Sequence, residues 1–210
     1  MYRYLFGVNA EIKGNLHIAN DSKLVYVAGH NVVVCRLEDR SQYFLPGTSD
    51  AENITAIALS ADSNYLAICE RGIERGLLII YDLAKPTNPK VLPETLDQLQ
   101  AFTSKEMVAV SFSCKDSKKI VTLSGAPDYK VMLWRWEDTK LLCIEGIGLT
   151  GNLPEDAPNT FQVSWNPDDF NGNTFVVTGP ESTFRYLCYD YGADPNCLSE
   201  MKHSLIAQHS

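Results

Sequence analysis

MVAVSFSCKDSKKIVTLSG, residues 107–125, reads as two alternating strands joined by a polar turn. The same arrangement occurs in ITAIALSADSNYLAICERG, residues 54–72, and in TFQVSWNPDDFNGNTFVVTG, residues 160–179. In each segment a large apolar residue precedes the turn, and these residues follow one another at intervals of 53: Leu59, Phe112 and Trp165. A later strand repeats at the same interval: Tyr81, Trp134 and Leu187. Two anchors with one shared period, in units of several short strands, indicate a β-propeller.

A fourth, weaker unit precedes these three. The sequence NLHIANDSKLVYVAGHNVVVCRLEDRSQYFLPG, residues 15–47, supplies four short apolar strands, with Cys35 where the third unit has Trp134. We therefore predict an all-β propeller region at 1–192 with about four blades of four antiparallel strands. The predicted blades are approximately 15–47, 54–93, 107–146 and 160–192. An irregular C-terminal tail is predicted at 193–210. An unrelated β-sandwich is the alternative fold, because short strands alone also suit it.

One stretch has weak helical character. ETLDQLQAFTSK, residues 94–105, is long enough for one or two helical turns. Its short length and the preceding Pro93 favour a loop insertion between the second and third blades.

The net charge and the shortness of the apolar runs limit the classes of partner that the chain is expected to bind. Asp and Glu number 26 against 18 Lys and Arg, so the net charge of the 210 residues is −8. Such a chain repels nucleic acids and anionic lipids unless a local basic patch intervenes. The apolar runs fall far short of the roughly 20 residues of a membrane helix, and MYRYLFGVNAEIKGN lacks the pattern of a secretory signal. We expect an intracellular protein with neither nucleic-acid nor membrane partners.

The cysteines are spread widely and form no C-x-x-C pair: Cys35, Cys69, Cys114, Cys143, Cys188 and Cys197. Structural zinc sites and redox motifs need close pairs. Most of these cysteines lie in apolar strand-like runs, where a free thiol behaves as a small hydrophobic side chain. We expect free thiols, no metal site and no cofactor.

Catalytic motifs are missing from the sequence. The histidines do not accompany a nucleophile motif such as G-x-S-x-G: His17, His30, His203 and His209. The carboxylate pairs Asp168-Asp169 and Glu155-Asp156 fall in turn-like contexts, where adjacent acids seldom converge on one substrate atom. Residues 72–76 (GIERG) lack the lysine and the helix of a phosphate-binding loop. We expect a protein that is not an enzyme, with no catalytic, cofactor-binding or metal-binding residues.

Two motifs resemble the WD-repeat β-propeller family. SGAPDYKVMLW, residues 124–134, follows that family's S-G-x-x-D-x-x-v-x-l-W pattern, and LSADSNYLA, residues 59–67, is similar to its turn between the first two strands. In the family, an Asp of the second turn and a Trp of the third strand join a His and a Ser or Thr in one hydrogen-bonded network. The resemblance implies these roles for Asp128 and Trp134. No Gly-His dipeptide precedes a first strand here, since Gly29-His30 lies between strands, so we expect incomplete networks.

A broader resemblance covers residues 2–192. YRYLFGV, YFLPGT, PKVLPETLDQLQAFTSKEMVAVSFS, LWRWEDTKLLCI and FQVSWNPDD are similar to the first propeller of large WD-repeat proteins of the ciliary axoneme. This implies a non-catalytic protein–protein interaction scaffold of the cilium or flagellum, in the cytoplasm and cytoskeleton. The implied role is placement or regulation of inner dynein arms, and the implied partners are axonemal dynein-associated complexes and tubulin. A generic cytosolic WD-repeat adaptor, recruiting a partner into a multiprotein complex, is the alternative.

The blade number raises a question about completeness. Members of the WD-repeat family usually close with seven blades, whereas four account for this chain. Open terminal blades expose apolar faces, so we expect missing blades or another chain to complete the propeller. The tail from Ala193 breaks the repeat, which favours a fragment, a truncated isoform or an incomplete gene model. A polar C-terminal extension is the alternative.

Two kinds of surface are candidates for partner contact. Lys115, Lys118 and Lys119 share one predicted turn, which is either a basic patch for acidic tubulin tails or an ordinary solvated turn. The long connections at 84–105 and 146–159 are stronger candidates, because long loops on rigid scaffolds commonly carry recognition. Their apolar side chains either contact a partner or pack back on the blades: Leu96, Leu99, Phe102, Leu149 and Leu153.

Overall fold

The repeated strands form four separate sheets in the computed structural model, which describes residues 7–12, 14–149, 160–180, 182–190 and 198–201. Each sheet has four antiparallel strands in chain order. The all-β prediction and the four-stranded blades are confirmed.

The bounds of the strands follow the chain. The first sheet contains β1 (Leu16–Ala19), β2 (Lys23–Ala28), β3 (Asn31–Arg36) and β4 (Gln42–Pro46). The second contains β5 (Ala51–Leu59), β6 (Tyr65–Gly72), β7 (Leu77–Asp82) and β8 (Lys90–Leu92). The third contains β9 (Met107–Phe112), β10 (Lys119–Ser124), β11 (Lys130–Arg135) and β12 (Lys140–Gly146). The fourth contains β13 (Gln162–Trp165), β14 (Thr174–Thr178), β15 (Phe184–Tyr189) and β16 (Leu198–Glu200).

The three large apolar cores of the described residues lie between consecutive sheets. Val25 and Val34 of the first sheet pack in one core with Ile68 and Ile79 of the second. Alternate residues of that second sheet, including Ile80, pack in another core with side chains of the third. A third core joins the third and fourth sheets. Because the second and third sheets are covered on both faces, their middle strands are almost continuously apolar.

The first strands of the sheets lie next to one another. β5 contacts β1 on one side and β9 on the other, and β9 also contacts β13. These four strands border a cavity of about 560 Å³, which includes His17, Thr55, Ser111 and Gln162 in its lining. The order of inner strands and the interleaved cores give the radial stacking of propeller blades.

The connection between the second and third sheets contains a helix, contrary to the predicted loop. α1 (Leu96–Ala101) begins after the N-cap Thr95, whose side chain accepts from Gln98 N, while Gln98 Oε1 accepts from Thr95 N. This capping box satisfies backbone donors that would otherwise lack partners. Pro93 did not prevent the helix because it precedes the N-cap.

Two other predictions need correction. β16 lies inside the segment predicted as an irregular tail and pairs with β15, so the tail prediction is wrong for Leu198–Glu200. The pairing depends on backbone hydrogen bonds, which the apolar pattern of three residues does not reveal. Cys143 is disulfide-bonded, contrary to the prediction, because spacing along a chain does not show which thiols the fold brings together. The free thiols are Cys35, Cys69, Cys114 and Cys188, whereas Cys197 lies outside the described residues.

Candidate interaction surfaces

Asp128 joins the β10–β11 turn to the linker that enters the third sheet. Its carboxylate accepts hydrogen bonds from Thr103 N, from Thr103 Oγ1 at 2.8 Å and from Ser104 N at 3.2 Å. Burial alone would raise the pKa of Asp128, but these hydrogen bonds outweigh it and lower the pKa. Thr103 and Ser104 therefore supply the donors to Asp128 from the linker that precedes β9.

Trp134 makes the second predicted contact of this network. Its indole Nε1 donates to Thr122 Oγ1 at 2.9 Å, and both residues are fully buried. Asp128 and Trp134 thus take the roles that the resemblance implied. Asp128 is half-buried at the sheet edge and bonds to Thr103 and Ser104 where the family's network has a His, so this network lacks its His, as predicted.

The second sheet joins the first by a different set of contacts that the sequence did not predict. Glu70 is fully buried and its carboxylate accepts from Thr48 N and from Thr48 Oγ1, the latter at 2.8 Å. A Cβ atom on Gly47 would collide with this carboxylate, so a larger residue there would displace it. Tyr81, at the position equivalent to Trp134, donates from its hydroxyl to Pro46 O at 2.6 Å.

The burial of Glu70 and Tyr81 changes the pKa of both side chains. Burial raises the pKa of Glu70, and hydrogen bonds from Thr48 offset only part of the rise. Burial, followed by the charge of Glu70, raises the pKa of Tyr81, so its hydroxyl stays protonated and able to donate. A signal for Glu70 exists in the sequence, because an acid within the apolar run LAICERG requires a polar partner.

The three lysines of the β9–β10 turn do not form a shared basic patch. Lys119 is 9% exposed and donates from Nζ to Asn173 Oδ1 at 3.1 Å, which joins the third sheet to the fourth. Lys118 Nζ pairs with Glu137 Oε2 at 2.8 Å. Lys115 is exposed. Neither prediction for this turn describes Lys119, whose burial depends on a contact with the distant fourth unit.

The long connection at 84–105 packs against the sheets over much of its length. Phe102 is 1% exposed and lies in the core between the second and third sheets. Lys130 Nζ donates to Ala101 O at 2.7 Å, and an Arg75 guanidinium nitrogen donates to Leu99 O. Leu96 remains 67% exposed. Phe102 therefore packs back on the blades, whereas contact of the exposed part of this loop with a partner stays a prediction.

The second long connection is described only in part. Leu149 packs against the core between the third and fourth sheets. Leu153, Glu155 and Asp156 lie outside the described residues, as does the rest of 150–159.

The candidate chemical groups are separated in the fold. His17 lies on β1 and His30 in the β2–β3 turn, whereas His203 and His209 lie outside the described residues. Asp169 accepts from Thr174 Oγ1 at 2.8 Å within its own turn. In the described part of the chain, no group of three His, Cys, Asp or Glu side chains is placed to hold a metal ion. No helix among the same residues is long and apolar enough to cross a membrane.

Comparison with known proteins finds relatives among cilia- and flagella-associated proteins. The chain is 32% identical over 179 residues to cilia- and flagella-associated protein 57 C of Tetrahymena thermophila, a match that covers 84% of this chain and 13% of the relative. It is 25% identical over 209 residues to cilia- and flagella-associated protein 57 of Mus musculus, covering 93% of this chain and 16% of the relative. The chain is a homologue of cilia- and flagella-associated protein 57.

The solved structures support the fold of this homologue. The crystal structure of K. marxianus Hsv2, a WD-repeat propeller protein, matches with a TM-score of 0.58 at 13% identity. The match covers 90% of this chain and 56% of Hsv2. The fold is therefore a WD-repeat-like β-propeller, and the alternative β-sandwich is wrong.

The relationship to cilia- and flagella-associated protein 57 concerns a limited part of that protein. The chain spans about one-seventh of the length of the two relatives. No family model matches the chain.

Proposed function

We propose that the chain is a non-catalytic protein–protein interaction scaffold of the motile cilium or flagellum, located on the axoneme. The supporting observation is homology to cilia- and flagella-associated protein 57 over 84% of the chain. The hydrogen bonds between sheets suit this role, because they hold the turns and linkers of neighbouring blades in fixed positions. Rigid placement of surface loops is what a recognition scaffold requires.

Within the axoneme, the proposed role is placement or regulation of inner dynein arms, through contact with dynein-associated complexes. Tubulin ranks second as a direct partner. The net charge of −8 opposes contact with acidic tubulin tails, and the lysines of the β9–β10 turn are divided between a salt bridge, an interblade contact and solvent.

Fractionation of ciliated cells tests the location. The native gene is tagged, cilia are isolated, and detergent separates the soluble matrix from the axoneme. We expect the tagged protein to remain on the axoneme and to be released only by high salt or chaotrope, with tubulin and a soluble matrix protein as markers. A soluble protein outside the cilium would contradict the proposal and favour the cytosolic adaptor.

Loss of the gene tests the role. We expect inner-arm dynein heavy chains to decrease in isolated axonemes, while outer-arm chains in the same preparation stay constant and act as the control. If gene loss leaves the inner arms unchanged while the tagged wild-type protein is retained on axonemes, the scaffold has a different neighbour.

A further inference from the structure

The β13–β14 turn, residues 166–173, presents an aromatic side chain to solvent. Phe170 is 93% exposed, whereas the other exposed large apolar side chains of the described residues are between 43% and 67% exposed. Isolated apolar residues on a surface are common, but they usually cover part of their area against neighbours. Phe170 leaves nearly all of its apolar area available for another molecule.

The turn that carries Phe170 is fixed by its own hydrogen bonds. Asp169 Oδ2 accepts from Asn173 N and Thr174 N, both at 2.7 Å, and Asp169 Oδ1 accepts from Asn171 N at 3.0 Å. Gly172 N donates to Asp169 O at 3.1 Å, with Gly172 at a φ of +60° that favours glycine. A side chain on an ordered turn loses less conformational freedom on binding than one on a flexible loop.

The third sheet also supports the turn. The Lys119–Asn173 hydrogen bond holds it from one side. Gly172 packs so closely that an added Cβ would lie 3.0 Å from Lys115 Cβ and 3.3 Å from Ser113 Oγ. The position of Phe170 is therefore set by two neighbouring blades.

The charges around Phe170 indicate the chemistry of its partner. Asp168 is exposed on the same turn, and Asp116 lies half-buried on the adjacent β9–β10 turn. Asp169 adds a third negative charge. Lys115 and Lys118 are exposed cations of the adjacent turn, and the charge of Lys118 is paired with Glu137. An aromatic anchor with an acidic surround is complementary to an apolar pocket bordered by basic side chains.

We propose that Phe170 is the anchor of a docking surface for a partner protein whose apolar pocket is bordered by Lys or Arg. Aromatic anchors of this kind carry a large share of the binding energy of protein interfaces. The acidic residues beside it orient the partner and speed the encounter. This inference rests on the proposed scaffold function and specifies one of its contact points.

A photoreactive residue tests the surface directly. p-Benzoylphenylalanine replaces Phe170 in the full chain expressed in ciliated cells, and the same residue at Leu96 is the control. We expect irradiation to attach a protein at position 170 and not at position 96. That protein is then purified, and its affinity for the wild-type chain and for variants is measured.

The variants separate anchoring from folding. F170A is expected to fold and melt like the wild type, because the side chain has little contact to lose, yet to bind the crosslinked protein at least tenfold more weakly. L96A is expected to bind like the wild type. D168N is expected to weaken binding two- to threefold at low salt and to have less effect at high salt, since salt screens exposed charges.

Several results would overturn the proposal. They are the absence of a crosslink specific to position 170, equal affinity of F170A and wild type, and attachment to a second copy of this chain. Cells are irradiated before they are fractionated, so the fraction that contains the crosslinked partner reports its location. A Phe170-dependent partner found in the cytosol would contradict the axonemal location while supporting the anchor. Axonemal retention without a crosslink would support the axonemal location and contradict the anchor.

Discussion

Asp128 joins the third blade to the linker that leads into it from the second blade. It accepts from Thr103 and Ser104, and hydrogen bonds to charged groups contribute about 1.5–3 kcal/mol each in favourable cases. The site is half-exposed to water, so we expect D128A to reduce the free energy of unfolding by about 1–3 kcal/mol. Urea denaturation measures this. D168N, at an exposed carboxylate, is the control and is expected to stay within about 0.5 kcal/mol of the wild type.

The contribution of Asp128 depends on pH in a defined direction. Its pKa is lowered below the ordinary value of 3.8, so the stabilisation is complete above that value and is lost as the pH falls through the lowered pKa. The difference between wild type and D128A should therefore shrink below about pH 3.8. A difference that stays constant down to that pH would indicate that the carboxylate charge does not contribute.

Trp134 and Thr122 form a buried pair whose coupling can be measured. W134F leaves the Thr122 hydroxyl without its donor, and T122V leaves the indole N–H without its acceptor. A buried polar group without a partner costs about 1–3 kcal/mol, so both single variants should be destabilised. The double variant W134F/T122V should lose about 1 kcal/mol less than the sum of the two. Additive losses would show that packing alone explains Trp134.

Residue patterns predicted some of the hydrogen-bonded residues and missed others. Asp128 and Trp134 could be identified because each stands at a fixed place in a recurring motif. The need of Glu70 for a polar partner could be read from the sequence, but the partner itself could not, because Thr48 lies in the linker before β5 and no motif pairs the two residues. Lys119 was misjudged for the same reason, since its contact with Asn173 joins residues 54 positions apart.

At the scale of elements, α1 shows how a linker becomes part of a blade interface. The capping box of Thr95 and Gln98 begins the helix, and Gln98 also donates from its side chain to Thr139 O in the β11–β12 turn. We expect T95A to reduce the free energy of unfolding by about 1 kcal/mol, the usual contribution of an N-cap. Hydrogen exchange should report faster exchange of the amides in α1.

A control on the same helix separates capping from general disturbance. L96A replaces a side chain that is 67% exposed, and alanine is a good helix former, so little change is expected. Equal effects of T95A and L96A would contradict the role of the cap. The helix was not predicted because six residues give too little periodicity, and because the preceding Pro93 favoured a loop.

At the scale of the molecule, the propeller was predictable because its period is a property of the whole chain. Strand pairing within each blade follows from the alternation of apolar residues, and packing between blades follows from strands that are apolar on both faces. The cores confirm this, because each joins two consecutive sheets. The surfaces that recognise partners were less predictable. Their geometry depends on contacts between turns of different blades, which have no local signature.

The junction of the first two blades should give the molecule a measurable pH response through Glu70. Its carboxylate is fully buried and its pKa is raised from the ordinary 4.5. Stability from a raised pKa is complete below about 4.5 and is lost as the pH rises through the raised value, because the fold must then hold a buried charge. Each unit of pKa shift corresponds to about 1.4 kcal/mol.

E70Q removes this charge and keeps an oxygen that accepts from Thr48. We expect the advantage of the wild type over E70Q, measured by urea denaturation between pH 4 and pH 8, to decrease as the pH rises. E74Q, at an exposed glutamate on the β6–β7 turn, should follow the wild type across the same range. Comparison at each pH cancels the other titrating groups, and carboxylates with lowered pKa values, such as Asp128, respond below this window. Parallel profiles for wild type and E70Q would mean that Glu70 titrates normally and that the first two blades open enough to hydrate it.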